Sequence, residues 1–349
     1  MPNKDKPKSI LVIQLAGLGD IVMATPAIEA LRRLYPKAKI FLLINSRSAD
    51  IIRGFPYIDG IFILDRLHDA FTVVPKLRKY RFDTVINLYR LYTFFGAVKM
   101  FLLFWMIAGK YWVGRDTDRR GFFYHLKVPE KLSEQRHEIE YKLDIIRALG
   151  AKIEDISLSV EYDSLDEEFV KDLLSKRDIT EDDILIAINC STFRPSHNWL
   201  VEHYAELADK IIERLKVKVV FLGVERDRNS FNEIKNVMRH EALNFIGIFT
   251  VRQFAVFLKR CRVLISPDTG AIHIASAIGT PVVVLCGPSE HKRYRPWASK
   301  EKAVVITKEV ECSPCFKYSC RSRKCMSLIL PDEVFAAVSM LLEKNNVQI

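Results

Sequence analysis

Ser9-Ile10-Leu11-Val12-Ile13-Gln14 is an apolar run that ends in Gly17-Leu18-Gly19-Asp20, after which Ile21, Ala24, Ile28, Leu31 and Leu34 recur at helical spacing. The stretch therefore predicts a strand, a glycine turn and a helix. An apolar run without polar alternation suits a parallel sheet that is covered on both faces. Further along, 39–44, 61–64 and 84–88 read as three more buried strands, with helical or loop stretches between them. The pattern restarts after a charged, weakly apolar stretch around 163–183. Strands then follow at 184–189, 217–222, 263–265 and 282–285, alternating with helical patterns such as 204–215. Alternating strands and helices predict an α/β chain of two doubly wound, Rossmann-like domains, residues 1–165 and 166–349.

The 349 residues exceed what one core usually organises, which agrees with two domains. Hydrophobic residues at 49% and charged residues at 28% exclude a disordered chain, and 14 Gly with 14 Pro exclude collagen-like or low-complexity character. No charge-free segment has the length of a membrane span. Lys and Arg total 53 against 43 Asp and Glu, a formal charge of +10, so an anionic partner is expected: nucleic acid, an acidic membrane surface or a phosphorylated small molecule. The basic start leads into a short strand rather than a signal peptide's apolar core, and seven cysteines fit a reducing compartment; a cytoplasmic chain is expected. The stretch 94–113 holds an apolar block bracketed by Lys99 and Lys110. It reads either as a buried helix of the first domain or as a helix that dips into a membrane interface.

Three constellations could carry chemistry. Gly17 and Gly19 permit positive φ and a close approach of backbone to ligand at the carboxyl end of the first strand, where doubly wound sheets bind ligands. Val22 stands where the dinucleotide fingerprint needs its third glycine, so NAD is disfavoured. Asp20 reads as a ligand-edge carboxylate or as a helix N-cap, and the two roles are compatible. In the second half, Ser266-Pro267-Asp268-Thr269-Gly270 leads from a strand into a small-residue helix that contains His273, so unpaired amides there form an anion site suited to phosphate. Asp268 or Thr269 could equally cap that helix, and His273 could be a satisfied buried histidine. The third constellation is Cys312-x2-Cys315-x4-Cys320-x4-Cys325, which could hold a structural zinc or an iron–sulfur cluster, or remain plain thiols.

These residues resemble glycosyltransferase family 9, the ADP-heptose:lipopolysaccharide heptosyltransferases. The similarity runs from Ile10–Ile13 through Leu18-Gly19-Asp20-Ile21-Val22 to Thr25-Pro26-Ala27-Ile28, and from Asp268-Thr269-Gly270 through His273 and Ala275 to Thr280-Pro281. It continues at Gly287-Pro288 and Cys312-Ser313-Pro314-Cys315. The resemblance implies a GT-B architecture: an acceptor domain and a nucleotide-sugar domain facing a central cleft, with a last helix packing back on the first. It also implies metal-independent inversion with no required cofactor. Carried over by residue, Asp20 falls on the family's catalytic base, and Thr269 and Gly270 on the amides that hold the donor diphosphate.

The block Asn189–Trp199 departs from the family, because His197 stands where many members carry a phosphate-contacting Lys. Arg194 could supply the cation, with Ser191 and Thr192 beside it, while His197 would be charged only near or below neutral pH. Glu225, after a strand, could accept ribose hydroxyls. The expected function is heptose transfer from ADP-heptose to a lipid-anchored saccharide of the lipopolysaccharide core, by a cytoplasmic enzyme peripheral to the anionic inner membrane surface. The rivals are a GT-B enzyme for another nucleotide sugar, including an epimerase, and a basic nucleic-acid-binding protein. The last is disfavoured by two ligand edges and by the absence of a recognisable helix-turn-helix or paired zinc modules.

Overall fold

In the computed structural model, which describes residues 6–190, 192–315, 317–345 and 347, the opening apolar run is the strand Ser9–Gln14, β1. It is followed by β2 (Lys39–Ile44), β3 (Gly60–Ile63), β4 (Thr84–Asn87), β5 (Tyr111–Thr117) and β6 (Leu126–Glu130). They form one parallel sheet in the order β3-β2-β1-β4-β5-β6. The second unit repeats the plan with β7 (Leu185–Asn189), β8 (Lys218–Gly223), β9 (Leu243–Ile246), β10 (Cys261–Pro267), β11 (Val282–Cys286) and β12 (Ala303–Thr307). Its parallel order is β12-β11-β10-β7-β8-β9. Both sheets are thus doubly wound, and each reverses its winding once, between β1 and β4 in the first unit and between β7 and β10 in the second. A crevice opens at such a reversal, beyond the carboxyl ends of the strands.

The units divide as Met1–Ser159 and Val160–Ile349, six residues before the expected boundary. The Ser164–Ser175 helix lies within the second, opened by a capping box in which Asp163 and Asp166 each accept from the other's end of the first turn. Strands β5, β6, β9 and β12 were not anticipated from the sequence. Gly114-Arg115-Asp116 interrupts the apolar run of β5, and Pro129 in β6 suits an edge strand, where a missing backbone donor is tolerated. Gly114 also has a packing reason, since a Cβ there would lie 2.5 Å from the Tyr124 ring.

The stretch 94–113 is not one helix. The Phe94–Ile107 helix ends at Ala108 in the left-handed conformation, φ 57°, and β5 begins at Tyr111. Ala97, Met100, Leu103, Phe104 and Ile107 enter the first core beside Val74 and Leu77 of the Ala70–Lys79 helix, while the opposite side stays exposed. The terminal helix, Pro331–Lys344, commits Val334, Ala337, Val338, Leu341 and Leu342 to the core of the second unit. Among the described residues, no helix is long and apolar enough to cross a membrane.

Candidate active site

In the first unit the loop after β1 turns directly into the short helix Leu18–Val22. Gly17 has φ −70°, so the positive φ that its type permits is not used; Gly19 lies inside the helix. Gly17, not Asp20, is the N-cap, and Asp20 is the third helical residue. A Cβ at Gly17 would sit 3.9 Å from Asp20 Oδ2, and the Gly17 amide donates to that carboxylate. Asp20 therefore supplies the returning half of a capping box while remaining at the winding reversal. Gln14 Nε2 donates to the Asp20 carbonyl at 3.1 Å and anchors the turn to the strand end.

Asp20 titrates above the ordinary carboxylate value of 3.8, chiefly because burial removes its hydration. Lys142 and Arg115 draw it down, and Glu138 pushes it up. None of these three was singled out in the sequence. Arg115, in β5, donates from Nη2 to Glu138 Oε1 at 2.6 Å and to the Leu88 carbonyl at 2.8 Å. Lys142 Nζ donates to the same Glu138 oxygen at 3.1 Å, one helical turn along Glu138–Ala148. Glu130, at the end of β6, accepts from the Thr117 hydroxyl at 2.7 Å and forms ion pairs with Arg90 Nε at 3.3 Å and Arg115 Nη1 at 3.7 Å. Three cations, Arg90, Arg115 and Lys142, thus meet three carboxylates, Asp20, Glu130 and Glu138. Beside them Tyr89 titrates above 10.0 through burial, then Tyr92, then the Asp20 charge. Asn87 completes the reversal, donating to the Tyr124 hydroxyl at 2.7 Å and to the Tyr89 carbonyl at 2.8 Å.

In the second unit, Asn189 ends β7 and donates from Nδ2 to Ser266 Oγ at 3.0 Å and to Thr269 Oγ1 at 3.3 Å. Thr269 is the N-cap of the Gly270–Ile278 helix and accepts from the Ala271 amide at 3.3 Å. The hydroxyls and amide of the β7–β10 reversal thus share one network at a helix N-terminus, where backbone N–H groups and the dipole favour an anion. Asp268 Oδ2 accepts from Ser289 Oγ at 2.5 Å, which links the loops after β10 and β11. Asp268 is not the cap, and His273 is buried on the inner side of the helix.

The loop after β7 is folded on itself: Thr192 N and Oγ1 both donate to Asn198 Oδ1 at 3.0 Å, and Arg194 N donates to Thr192 Oγ1 at 3.1 Å. Ser191 lies outside the described residues. The Arg194 guanidinium is exposed and makes no hydrogen bond or ion pair among the described residues. His197 is 6% exposed, with Nε2 lacking a hydrogen-bond partner among the described residues. Burial first, and the Arg194 charge second, lower its pKa from 6.5 to about 4, so the expectation that the ring gains charge near neutral pH is corrected. Glu225 is not drawn into this cluster; both of its carboxylate oxygens accept from Arg228 at 2.5 Å, which holds it below 4.5.

The cysteine segment braces the same loops. Ser313 Oγ donates to the Gly287 carbonyl and Cys315 N to the Pro288 carbonyl, each at 3.1 Å. Ser196 Oγ reaches back to the Lys317 carbonyl at 2.5 Å, and Ser196 N to the Tyr318 carbonyl at 3.2 Å. Cys312, Cys315, Cys320 and Cys325 are free thiols ranging from exposed to buried. Among the described residues, no group of three or more His, Cys, Asp or Glu is placed to hold a metal ion.

With this geometry established, comparison with known proteins is informative. The family model of glycosyltransferase family 9 (heptosyltransferase) matches residues 71–326. The lipopolysaccharide core heptosyltransferase OpsX of Haemophilus influenzae is 20% identical over 313 residues, 87% of this chain and 86% of that protein. A family 9 glycosyltransferase structure from Veillonella parvula superposes with a TM-score of 0.79 at 25% identity, covering 96% of this chain and 98% of that one. The structure of the Escherichia coli ADP-heptose lps heptosyltransferase II gives 0.74 at 20% identity, covering 97% and 99%, and shares the fold.

Proposed function

We propose, for a chain that belongs to glycosyltransferase family 9 and is a glycosyltransferase, that it moves a heptose from ADP-heptose to an acceptor of the lipopolysaccharide core with inversion at the anomeric carbon. One observation carries this reading: a carboxylate raised by burial occupies one winding reversal, and a helix N-terminus with an exposed arginine nearby occupies the other. The names of the core heptosyltransferase relative and of the ADP-heptose-using neighbour support the sugar and the nucleotide.

In the proposed reaction Asp20 takes the proton of an acceptor hydroxyl as its oxygen attacks the anomeric carbon. The bond from that carbon to the diphosphate breaks on the opposite side, so a single displacement inverts the centre. A positioned base typically contributes about 10² to 10⁴-fold. The leaving ADP gains charge as the bond breaks. Amides at the start of the Gly270–Ile278 helix and the Arg194 guanidinium strengthen their hold at that moment, and no metal is required. The acceptor is a lipid-anchored saccharide, and the enzyme works as a peripheral protein on the inner membrane face.

The decisive experiment replaces Asp20 by Asn, which removes the proton acceptor at nearly constant volume. Transfer should fall by at least about 10²-fold while ADP-heptose binding stays near wild type. Retained turnover would leave Asp20 as a capping residue only. Thermal shift against a panel of nucleotide sugars tests the donor, since a ligand at about 100 times its Kd adds about 2.7 kcal/mol of stability. A larger shift with another nucleotide sugar would replace the heptose.

A further inference from the structure

Between Asp69 and Asp116 the chain holds one acidic residue, Asp83, which is engaged by Lys110 Nζ at 2.7 Å and by the Lys8 and Ser9 amides. The same stretch exposes Lys76, Arg78, Lys79, Arg81, Lys99 and Lys110. Most of these cations lie on or just beyond two helices, Ala70–Lys79 and Phe94–Ile107, that pack into one core. The outward side of the second helix is not polar. Phe94 and Phe95 are each 67% exposed, Trp105 65% and Leu102 46%, and Phe71 on the first helix is 84% exposed. Phe122, from the turn before β6, extends this surface, its ring 6.1 Å from that of Phe94.

A helix that is apolar all round is ordinarily covered all round. Here Lys99 is the only charged residue of Phe94–Ile107, yet Phe94, Phe95, Lys99, Leu102 and Trp105 are all exposed. An exposed apolar patch of this kind marks a contact surface. A second copy of this chain is a poor occupant, because a two-fold contact would lay the same cations against one another. An anionic bilayer suits both halves of the pattern. Aromatic and aliphatic side chains fit the boundary between headgroups and acyl chains, while lysine and arginine stems cross apolar surface and leave their charge at the phosphates. Lys99 Nζ already sits 4.4 Å over the Phe95 ring in that arrangement.

We propose that this face docks on an anionic phospholipid bilayer, with Phe94, Phe95, Leu102 and Trp105 entering the interface and Lys76, Arg78, Lys79, Arg81 and Lys99 meeting lipid phosphates. Its purpose, though not its existence, rests on the lipid-anchored acceptor proposed above. The test therefore uses vesicles that carry no saccharide, so that a failure here and a failure of the transfer reading are separable.

The full chain is floated with phosphatidylglycerol–phosphatidylethanolamine vesicles and with phosphatidylcholine vesicles at about 0.1 M salt. Partition into the anionic vesicles should exceed that into phosphatidylcholine by about tenfold or more, and should weaken as salt rises. The variant F94S/F95S/W105S should lose about tenfold or more of this partition while keeping its circular dichroism and its thermal response to ADP. The variant K76E/K79E/K99E, altered only at exposed positions, should lose both the partition and its salt dependence. Equal binding to the two lipids, or wild-type flotation of either variant, would overturn the proposal. So would a wild-type dimer in sedimentation velocity that the aromatic variant converts to monomer, since the face would then be a contact between copies.

Discussion

Arg115 Nη2 lies 2.6 Å from Glu138 Oε1, and the two side chains are only 1% and 2% exposed. Lys142 shares the same carboxylate oxygen, and the Asp20 charge is felt by Lys142. Glu138 is therefore the anion against which two buried cations are held, twenty-three residues beyond Arg115 in the chain. Removing one partner of such a pair leaves uncompensated charge away from water, which destabilises by about 3–5 kcal/mol. Glu138→Ala should lower the unfolding free energy by that order in urea titration, with Glu138→Gln intermediate. A loss below about 1 kcal/mol, the range of exposed pairs, would show that the network is hydrated in solution.

The same cluster sets the proton affinity of the proposed base. Burial raises the Asp20 pKa and the Lys142 cation opposes that rise, so Lys142→Met should raise it further. A base must be ionised to act, so the rising limb of kcat/KM against pH should move to higher pH in Lys142→Met. Activity well above the limb should recover more completely than activity below it. A uniform loss across pH would make Lys142 a structural residue without influence on the base.

The fold was legible where one strand can be read by itself. Ile10, Leu11, Val12 and Ile13 are all buried, and an uninterrupted apolar run ending at glycine declares a parallel strand and its ligand edge, so Asp20 could be found from its place in that loop. β5 could not be read in this way. Arg115 is buried inside it only because Glu138 and Glu130 arrive from other elements, and nothing local announces that compensation. Glu138 and Lys142 were missed because carboxylate and lysine at i,i+4 on a helix ordinarily form a solvated pair. The aromatic stretch after Thr93 stayed ambiguous because its helix is in fact two-sided, one face in the core and one exposed.

His197 gives the second unit an acid sensitivity with a definite sign. Its pKa is near 6.5 when unfolded and about 4 when folded, so the unfolded chain binds the extra proton between those values. The contribution is fully present above about pH 6.5 and is lost as pH falls toward 4; at 1.36 kcal/mol per unit its ceiling is about 3 kcal/mol. His197→Asn should flatten that part of the stability curve in denaturant titrations between pH 7 and pH 4.5. An unaltered slope would assign the acid sensitivity to other groups.

Cys312, Cys315, Cys320 and Cys325 lie in the segment that ties the loops after β7 and β11 together, and we propose that their part is structural rather than chemical. Serine substitution of the four should lower Tm while the turnover of the surviving folded protein changes by less than about twofold, far short of the loss expected for a group in the chemical step. Elemental analysis of protein purified under reducing conditions is the companion measurement. Stoichiometric zinc or iron would show that the thiols close around a metal.

The phosphate of the proposed donor needs a cation, and His197, which the family resemblance sets at the place of a phosphate-contacting lysine, cannot provide one. With a pKa of about 4, His197 is neutral throughout the range in which transfer would be assayed, whereas Arg194 is charged and exposed three residues earlier. A hydrogen bond to a charged group contributes about 1.5–3 kcal/mol, and exposure places this one at the lower end. Arg194→Ala should therefore weaken ADP binding by about tenfold in calorimetry, with a deficit that narrows as salt is raised. His197→Asn should have the smaller effect, and that effect should be the same at pH 5.5 and pH 8 because the ring does not titrate between them. If His197→Asn were instead the more damaging change and Arg194→Ala near wild type, the phosphate would be held by the neutral imidazole, through the Nε2 that lacks a partner among the described residues, and Arg194 would have no part in donor binding.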